Sequence, residues 1–423
     1  MNASAILRAG RRSILVLQGV ASPFFAALGA ALAARGHAVH RINFCRGDRL
    51  FWPLPGGIDF REPADHWPGF LAATLDRLGV TDLVMFGDAR PLHEAALAVA
   101  RRAGVRPWVF EEGYLRPNWI TLECGGTNAQ SRLPRDPRAI LLEGALLPDR
   151  GEGEAVAGGM ALRVRDEVRY HAANLGQGAE FPHYRHHRPW PFFQEVACGW
   201  LPRLAGRPLV RALAKFAIGR LLASGRPFVL FPLQLDGDVQ IRRHSPFGRL
   251  APAIEHVLES FAAYSPPDLA LLVKVHPLDN GMTRWASVVA RTARRFGVAD
   301  RVLTVDGGHL PTLLEHARAV VTVNSTVGFS ALLHHRPVVA LGHAIYDLPG
   351  LTHRSGLDRF WTKPERPNRH LLLAFRRVVI ARSQLNGSFY TPNGIARGVA
   401  EAVERIERGA NLLVAREAAA STS

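Results

Sequence analysis

Short uncharged apolar runs alternate along the chain with longer stretches in which apolar side chains recur every three to four residues. That alternation predicts buried strands separated by amphipathic helices, the pattern of parallel sheets covered by helices on both faces. The first run, residues 13–34, has 22 residues without a charge and follows Arg8, Arg11 and Arg12. By charge alone it resembles a signal peptide or membrane anchor. Gln18, Gly19, Ser22 and Pro23 interrupt it, however, and divide it into a β-rich piece (14–18), a small-residue turn and a helical piece (24–34). With a strand over 38–44 following at once, a βαβ start is the expectation.

Further strands are expected at 83–86 and 107–110, with a helix at 91–103 between them. Residues 125–200 are less regular. An acidic, Gly-rich stretch (149–159) leads into a helix (162–173), and a Pro/His/Arg-rich segment (182–191) reads as a linker or surface insertion. Alternation resumes after Gly225. Strands are expected at 227–232, 269–275, 302–305, 319–323 and 337–341, and helices at 250–264, 283–296, 310–316 and 325–334. Residues 393–414 form one amphipathic helix. The expectation is an α/β protein with two Rossmann-like domains, residues 1–200 and 201–390, facing a cleft, followed by a carboxyl-terminal helix and tail (391–423). Open α/β sheets bind ligands at the carboxyl ends of their strands, so the strand-end loops carry the candidate chemistry.

Composition changes this picture in two respects. The 423 residues, 48% hydrophobic and 21% charged, exclude disorder and coiled coil for the bulk of the chain. The net charge of +16 asks for an anionic partner: nucleic acid, an anionic membrane or an acidic small molecule. Without zinc-finger spacing, an RNP-like motif or a dense basic tail, nucleic acid is not favoured. Three widely spaced cysteines (Cys45, Cys124, Cys198) argue against a disulfide framework and fit a reducing compartment.

The strand after Gly104 ends in Glu111-Glu112-Gly113-Tyr114-Leu115-Arg116-Pro117. Successive strand side chains point to opposite faces, so at most one of the two carboxylates enters a cleft. A solvated turn or a salt bridge to Arg116 also accounts for an isolated Glu-Glu-Gly. The strand 269–275 ends in Lys274-Val275-His276-Pro277, with Lys274 and His276 on one face, a cationic pair suited to an anion. After 319–323 comes Asn324-Ser325-Thr326-Val327-Gly328. Ser325 or Thr326 caps the next helix, and the same helix start suits a phosphate. Gln234 and Asp238 stand in a polar loop after 227–232. Gly19, Asn43 and Asp48 end the first two strands, on the amino-terminal wall of the same cleft. The segment His183-Tyr184-Arg185-His186-His187-Arg188 suggests metal ligation, but its interleaved arginines read better as a solvated basic loop able to touch anionic head groups.

The order Glu-Glu-Gly, then His-Pro, then Ser-Thr resembles the motif set of bacterial transferases that use CMP-activated acidic sugars, the sialyltransferases and their relatives. The longer strings resemble more closely the capsular polysaccharide biosynthesis family of the KpsS/LipB type. They are Gln18-Gly19, Arg41-Ile42-Asn43-Phe44, Gly47-Asp48, Phe51-Trp52, the Glu111–Pro117 string with Trp119 to Glu123, Gln234 with Asp238, Lys274 to Pro277, Asn324 to Gly328, and Pro337 to Gly342 with Tyr346. The resemblance spans about residues 13–360.

That resemblance implies a GT-B-like fold and a β-Kdo transferase, moving Kdo from CMP-β-Kdo to a glycolipid acceptor in the linker between phosphatidylglycerol and capsule. It implies catalytic roles for Glu112 or Glu111 and for His276. Donor binding would fall to Lys274, Ser325, Thr326, Asn324, Gly328, Gln234 and Asp238, with Gly19, Asn43, Asp48 and Arg116 as further cleft residues. The donor has a single phosphate, so no metal or other cofactor is needed; Asp236-Gly237-Asp238 is the nearest approach to a metal-binding DxD. Implied partners are CMP-Kdo, the glycolipid, the inner-membrane surface and other capsule assembly proteins, from a cytoplasmic position peripheral to that membrane. Two alternatives are a GT-B enzyme using another nucleotide sugar and a non-catalytic scaffold of a capsule assembly and export complex.

Overall fold

The computed structural model describes residues 10–156, 158–186, 190 and 194–420. Its strands are β1 (Ser13–Val16), β2 (Ala38–Asn43), β3 (Gly57–Asp59), β4 (Asp82–Phe86), β5 (Arg106–Glu112), β6 (Trp119–Cys124), β7 (Phe228–Pro232), β8 (Ala270–Lys274), β9 (Val302–Val305), β10 (Ala319–Thr322), β11 (Val338–Ala340) and β12 (Gln384–Asn386). They form a seven-stranded sheet, β12-β6-β5-β4-β1-β2-β3, and a five-stranded sheet, β11-β10-β7-β8-β9. The protein is therefore α/β with two parallel-sheet, Rossmann-like units.

β1 shows why the run that resembled an anchor folds into a sheet. Ile14 and Val16 pack on one face, against the helix Phe24–Ala34 and the tail helix Pro392–Ala420. Leu15 and Leu17 pack on the other, against the helices Trp67–Arg77 and Pro91–Arg102. All four are fully buried, and each such burial contributes about 1.5–3 kcal/mol. Among the described residues no helix is long and apolar enough to cross a membrane.

The second sheet is parallel throughout. Val229, Phe231, Leu271, Val273 and Val321 cover the helices Leu250–Tyr264 and Trp285–Arg295 on one of its faces. The first sheet is parallel from β3 to β5, but β6 runs antiparallel to β5 and β12 antiparallel to β6. That edge departs from the expected parallel pattern, because β5 continues through Glu111 and Glu112, which pair with Thr121 and Ile120.

Packing divides the chain into two compact units. One comprises Met1–Arg132, Asp149–His187 and Val379–Ser423; the other comprises Leu133–Pro148 and Arg188–Val378. These bounds differ from the expected 1–200, 201–390 and 391–423. The tail belongs to the first unit because Val399, Ala402, Val403 and Ile406 of its helix are buried in that unit's core. The long helices Leu201–Ala223 and Arg369–Ser383 were not anticipated. In the former only Ala214 and Ile218 are buried, so the usual inward apolar stripe is missing, and Pro208 lies inside the helix. The segment 182–191 is also more than a solvated loop where it is described. Phe181 is buried just before it, Tyr184 packs against both the Leu15–Val109 and the Cys45–Tyr170 clusters, and the His186 ring stands 5.2 Å from that of His171. His187 and Arg188, like Arg8, lie outside the described residues.

Candidate functional site

In the first unit the strand order reverses between β1 and β4, which opens a crevice at their carboxyl ends. Gln18, two residues past β1, bridges it. Its Nε2 donates to both Asp48 oxygens at 3.2 Å and to Tyr170 Oη at 2.9 Å, while its Oε1 accepts from Arg90 Nη1 at 3.0 Å. Arg90 also donates to the Gly19 carbonyl at 3.2 Å. Gly19 itself must lack a side chain, since a Cβ there would stand 2.3 Å from the Phe25 ring.

Asp48 is 2% exposed and accepts from the Phe44 amide at 2.9 Å and from Tyr170 Oη at 3.2 Å. Its counter-charge is the equally buried Arg41, 3.6 Å away. Burial pushes the Arg41 guanidinium below its usual range and the Tyr170 phenol well above. Cys45, 3.0 Å from Tyr170 Oη, is likewise pushed up by burial, which keeps it a thiol rather than a nucleophilic thiolate. Asn43 turns away from this cluster and donates to Asp59 Oδ1 at 3.2 Å, toward the β3 edge.

His93 follows β4 in the helix Pro91–Arg102 and is buried. Its Nδ1 lies 3.1 Å from the Phe86 carbonyl and 2.8 Å from that of Gly87. Both partners are acceptors, so Nδ1 carries the proton and Nε2 is the bare nitrogen, without a partner among the described residues. Desolvation, with Arg90 adding, pushes its pKa down to about 3.

The two glutamates of β5 take opposite faces, as strand alternation requires. Glu111 follows Val109, on the side of the helices Trp67–Arg77 and Pro91–Arg102, and its Oε1 accepts from the Glu112 amide at 3.0 Å. Glu112 follows Phe110, on the side of the tail helix, and is half-buried 3.3 Å from Arg163 Nη1. Arg163 in turn lies over the Tyr390 ring at 5.0 Å. The expected neighbour Arg116 is exposed and donates to the Gly113 carbonyl at 3.4 Å. The turn between β5 and β6 needs glycine at 113, where a Cβ would stand 2.1 Å from the Trp119 carbonyl oxygen. Tyr114 anchors the turn, donating to Glu123 Oε1 at 2.8 Å, while Gln384 of β12 accepts from its amide at 3.0 Å.

The second unit repeats this device. Its strand order reverses between β7 and β10, and Gln234 and Asn324, each two residues past its strand, bridge the reversal. Gln234 Nε2 donates to Asn324 Oδ1 at 3.0 Å and to Asp238 Oδ2 at 3.3 Å, while its Oε1 accepts from the Asn324 amide at 3.2 Å. Asn324 Nδ2 donates to the carbonyls of Gln240 and His244. Asp238 caps the short helix Val239–His244, and Asp236 accepts from the Leu250 amide. Both aspartates of the Asp-Gly-Asp sequence thus hold helix starts. Among the described residues no group of three or more His, Cys, Asp or Glu is arranged to hold a metal.

Lys274 ends β8 and is buried. Desolvation lowers its pKa, which Asp306 partly offsets. His276 Nδ1 accepts from the Leu278 amide at 3.1 Å, which places the ring proton on Nε2. Arg203 braces this loop, donating to the His276 carbonyl at 3.2 Å and to Asp306 Oδ1 at 2.7 Å. Across β7, Ser325 caps the helix Thr326–Leu333 by accepting from the Val327 amide at 3.2 Å, and Thr326 is half-exposed beside it. Gly328 lets Tyr346 pack on that helix, its Oη donating to the Ser325 carbonyl at 2.5 Å; a Cβ at 328 would stand 2.2 Å from this oxygen.

The structure therefore joins Gln18 with Asp48, and Gln234 with Asn324 and Asp238, and places the Lys274–His276 and Ser325–Thr326 pairs on the strands that flank β7. Sequence reasoning missed Arg90, His93, Tyr170, Arg163, Arg203 and Asp306. Arg90 was findable as a basic residue in the loop after β4, at the topological switch point. Asp306 was findable too, as the polar residue directly after β9; the others come from helices, where no strand-end signal applies.

The family described as "Capsule polysaccharide biosynthesis protein" matches residues 81–390. The capsule polysaccharide export protein KpsS of Escherichia coli is 33% identical over 392 residues, 92% of this chain and 99% of that protein. The capsule polysaccharide modification protein LipB of Neisseria meningitidis serogroup B is 35% identical over 387 residues, 90% of this chain and 92% of that protein. Among solved structures, the β-Kdo 2,7 transferase KpsC of Thermosulfurimonas dismutans matches with a TM-score of 0.43 at 15% identity, covering 85% of this chain and 94% of that one. A family match over residues 81–390, with likeness to KpsS and LipB over 92% and 90% of its length, makes this chain a member of the capsule polysaccharide biosynthesis family.

Proposed function

We propose that this chain is a glycosyltransferase that moves Kdo, an acidic sugar, from CMP-β-Kdo to a phosphatidylglycerol-type lipid acceptor in synthesis of the capsule linker. The observation that carries the reading is the placement of Lys274 and His276 on one side of β7 and of Ser325 and Thr326 on the other. A buried ammonium, an imidazole N–H and a helix start are the groups that hold a phosphodiester anion. Membership of a capsule family, together with motifs that resemble those of CMP-sugar transferases, supports Kdo as the sugar.

His276 Nε2–H donates to the phosphate of the departing CMP, and Lys274 offsets its charge as the sugar–phosphate bond breaks. Ser325, Thr326 and the helix behind them hold the phosphate or the Kdo carboxylate. Gln234, Asn324, Asp238 and Gly328 shape that loop, as Gly19 and Asp48 shape the first unit's crevice, while Asn43 is held toward the β3 edge by Asp59. The carboxylate role follows from stereochemistry. A β product from a β donor requires two displacements, in which a glutamate bonds the anomeric carbon as CMP leaves and the acceptor hydroxyl then displaces it, losing its proton to a base. Glu112 is preferred to Glu111 because it lies nearer the turn; each carboxylate already has one partner, Arg163 for Glu112 and the Glu112 amide for Glu111. The protein acts on its acceptor from the cytoplasmic side, peripheral to the inner membrane.

The test is transfer from CMP-Kdo to a phosphatidylglycerol-like acceptor, with the product linkage determined and UDP-sugars as controls. Glu112→Gln and Glu111→Gln, made separately, identify the carboxylate. Full activity in both variants would overturn that assignment. Capsule formation that survives loss of Glu111, Glu112 and His276 would indicate a scaffold instead.

A further inference from the structure

The helix Leu201–Ala223 contains Arg203, Arg207, Arg211, Lys215 and Arg220 and no acidic residue. Its inner face is narrow. Ala214 and Ile218 are buried, seated on Gly307 and Gly308 just past β9, where a Cβ on Gly308 would stand 2.5 Å from Ile218 Cδ1. The outer face inverts the usual pattern of a surface helix. Leu201, Leu209, Leu213 and Phe216 recur at helical spacing and are 58%, 65%, 59% and 67% exposed. Arg211 and Lys215 are exposed along one edge, and Arg220 lies 5.9 Å from the Phe216 ring.

An outward apolar stripe bordered by cations, on a helix that carries no carboxylate, is complementary to the boundary between anionic lipid head groups and acyl chains. We propose that this helix docks the protein on an anionic lipid bilayer as a peripheral, in-plane contact. The proposal rests on the reading of a lipid acceptor and names the surface that meets the membrane bearing it. Arg203 joins the first turn of this helix to the His276 loop, so docking here holds the phosphate-binding loop of the second unit close to the bilayer.

The experiment is flotation of the full-length protein with vesicles of phosphatidylcholine alone, and of phosphatidylcholine mixed with phosphatidylglycerol or with phosphatidylserine, without any sugar donor. The expected result is binding to both anionic mixtures, weakened by salt, and little to phosphatidylcholine alone. Leu209→Ser/Leu213→Ser/Phe216→Ser is expected to lower the affinity at least about tenfold. Arg211→Gln/Lys215→Gln should lower it about fivefold per cation removed. Both should keep the thermal midpoint. Wild-type binding by both variants overturns the proposal, as does binding to phosphatidylglycerol alone that neither variant weakens, which is acceptor recognition. A wild-type dimer that the triple serine variant dissolves, with no vesicle binding, would assign the face to a second copy. Because no donor is present, docking without Kdo transfer would remove the catalytic reading and leave this one standing.

Discussion

His93 is held neutral by burial, with its Nδ1 proton committed to two carbonyls and a pKa near 3. In the unfolded chain a histidine titrates near 6.5. Below that pH the unfolded state binds a proton that the native state refuses, so stability is complete above about pH 6.5 and falls as pH drops toward 3, by up to about 1.4 kcal/mol per pH unit. A His93→Gln variant is expected to lose less stability than wild type between pH 6.5 and pH 4, measured by urea denaturation across that range. Asp48 is the opposite case, a buried charge facing a buried charge. Asp48→Ala leaves Arg41 uncompensated and is expected to cost about 3 kcal/mol, read from the same denaturation curves at pH 7. Under the proposed donor-binding role, Lys274→Met is expected to leave the midpoint unchanged or higher while CMP affinity falls about tenfold in calorimetry.

At the scale of elements, the turn between β5 and β6 positions the candidate carboxylates. Gly113 faces a backbone oxygen, which cannot swing aside as a flexible side chain would. Gly113→Ala is expected to destabilise the protein by about 2 kcal/mol and to lower transfer activity through displacement of Glu112; a midpoint equal to wild type would refute it. Much of this region was legible beforehand. Glu111-Glu112-Gly113 stood out as polar residues ending an apolar run, and their opposite faces followed from the two-residue period of a strand. Their partners did not. Arg163 comes from the helix Met160–Ala173, and Gln384 reaches Tyr114 from β12, some 270 residues away. No local pattern encodes a contact of that separation.

On the scale of the whole molecule, the chain builds most of the first unit, forms the second, and returns with β12 and the tail helix to close the first. Deleting residues 392–423 exposes Phe24, Trp108 and Phe110, which that helix covers. The truncated protein is expected to lose cooperative thermal unfolding and to bind a dye for exposed apolar surface; retention of a sharp transition would contradict this. The excess of +16 is also a whole-molecule property. Its location, however, is local: the helix Leu201–Ala223 concentrates cations without anions beside outward apolar side chains.

The sequence by itself determined the two series of alternating strands and helices, because burial on both sheet faces demands apolar runs and each crossover demands a helix. It also singled out the strand ends that are candidates for chemistry, since polar residues that end apolar strands stand out in one dimension. Only the tertiary structure decided that β6 and β12 run antiparallel, that the tail completes the first unit, and that Gln18 meets Asp48 and Tyr170 while Gln234 meets Asn324. Those outcomes depend on which strand lies beside which, and that is settled by the packing of surfaces distant in sequence, where no local periodicity reaches.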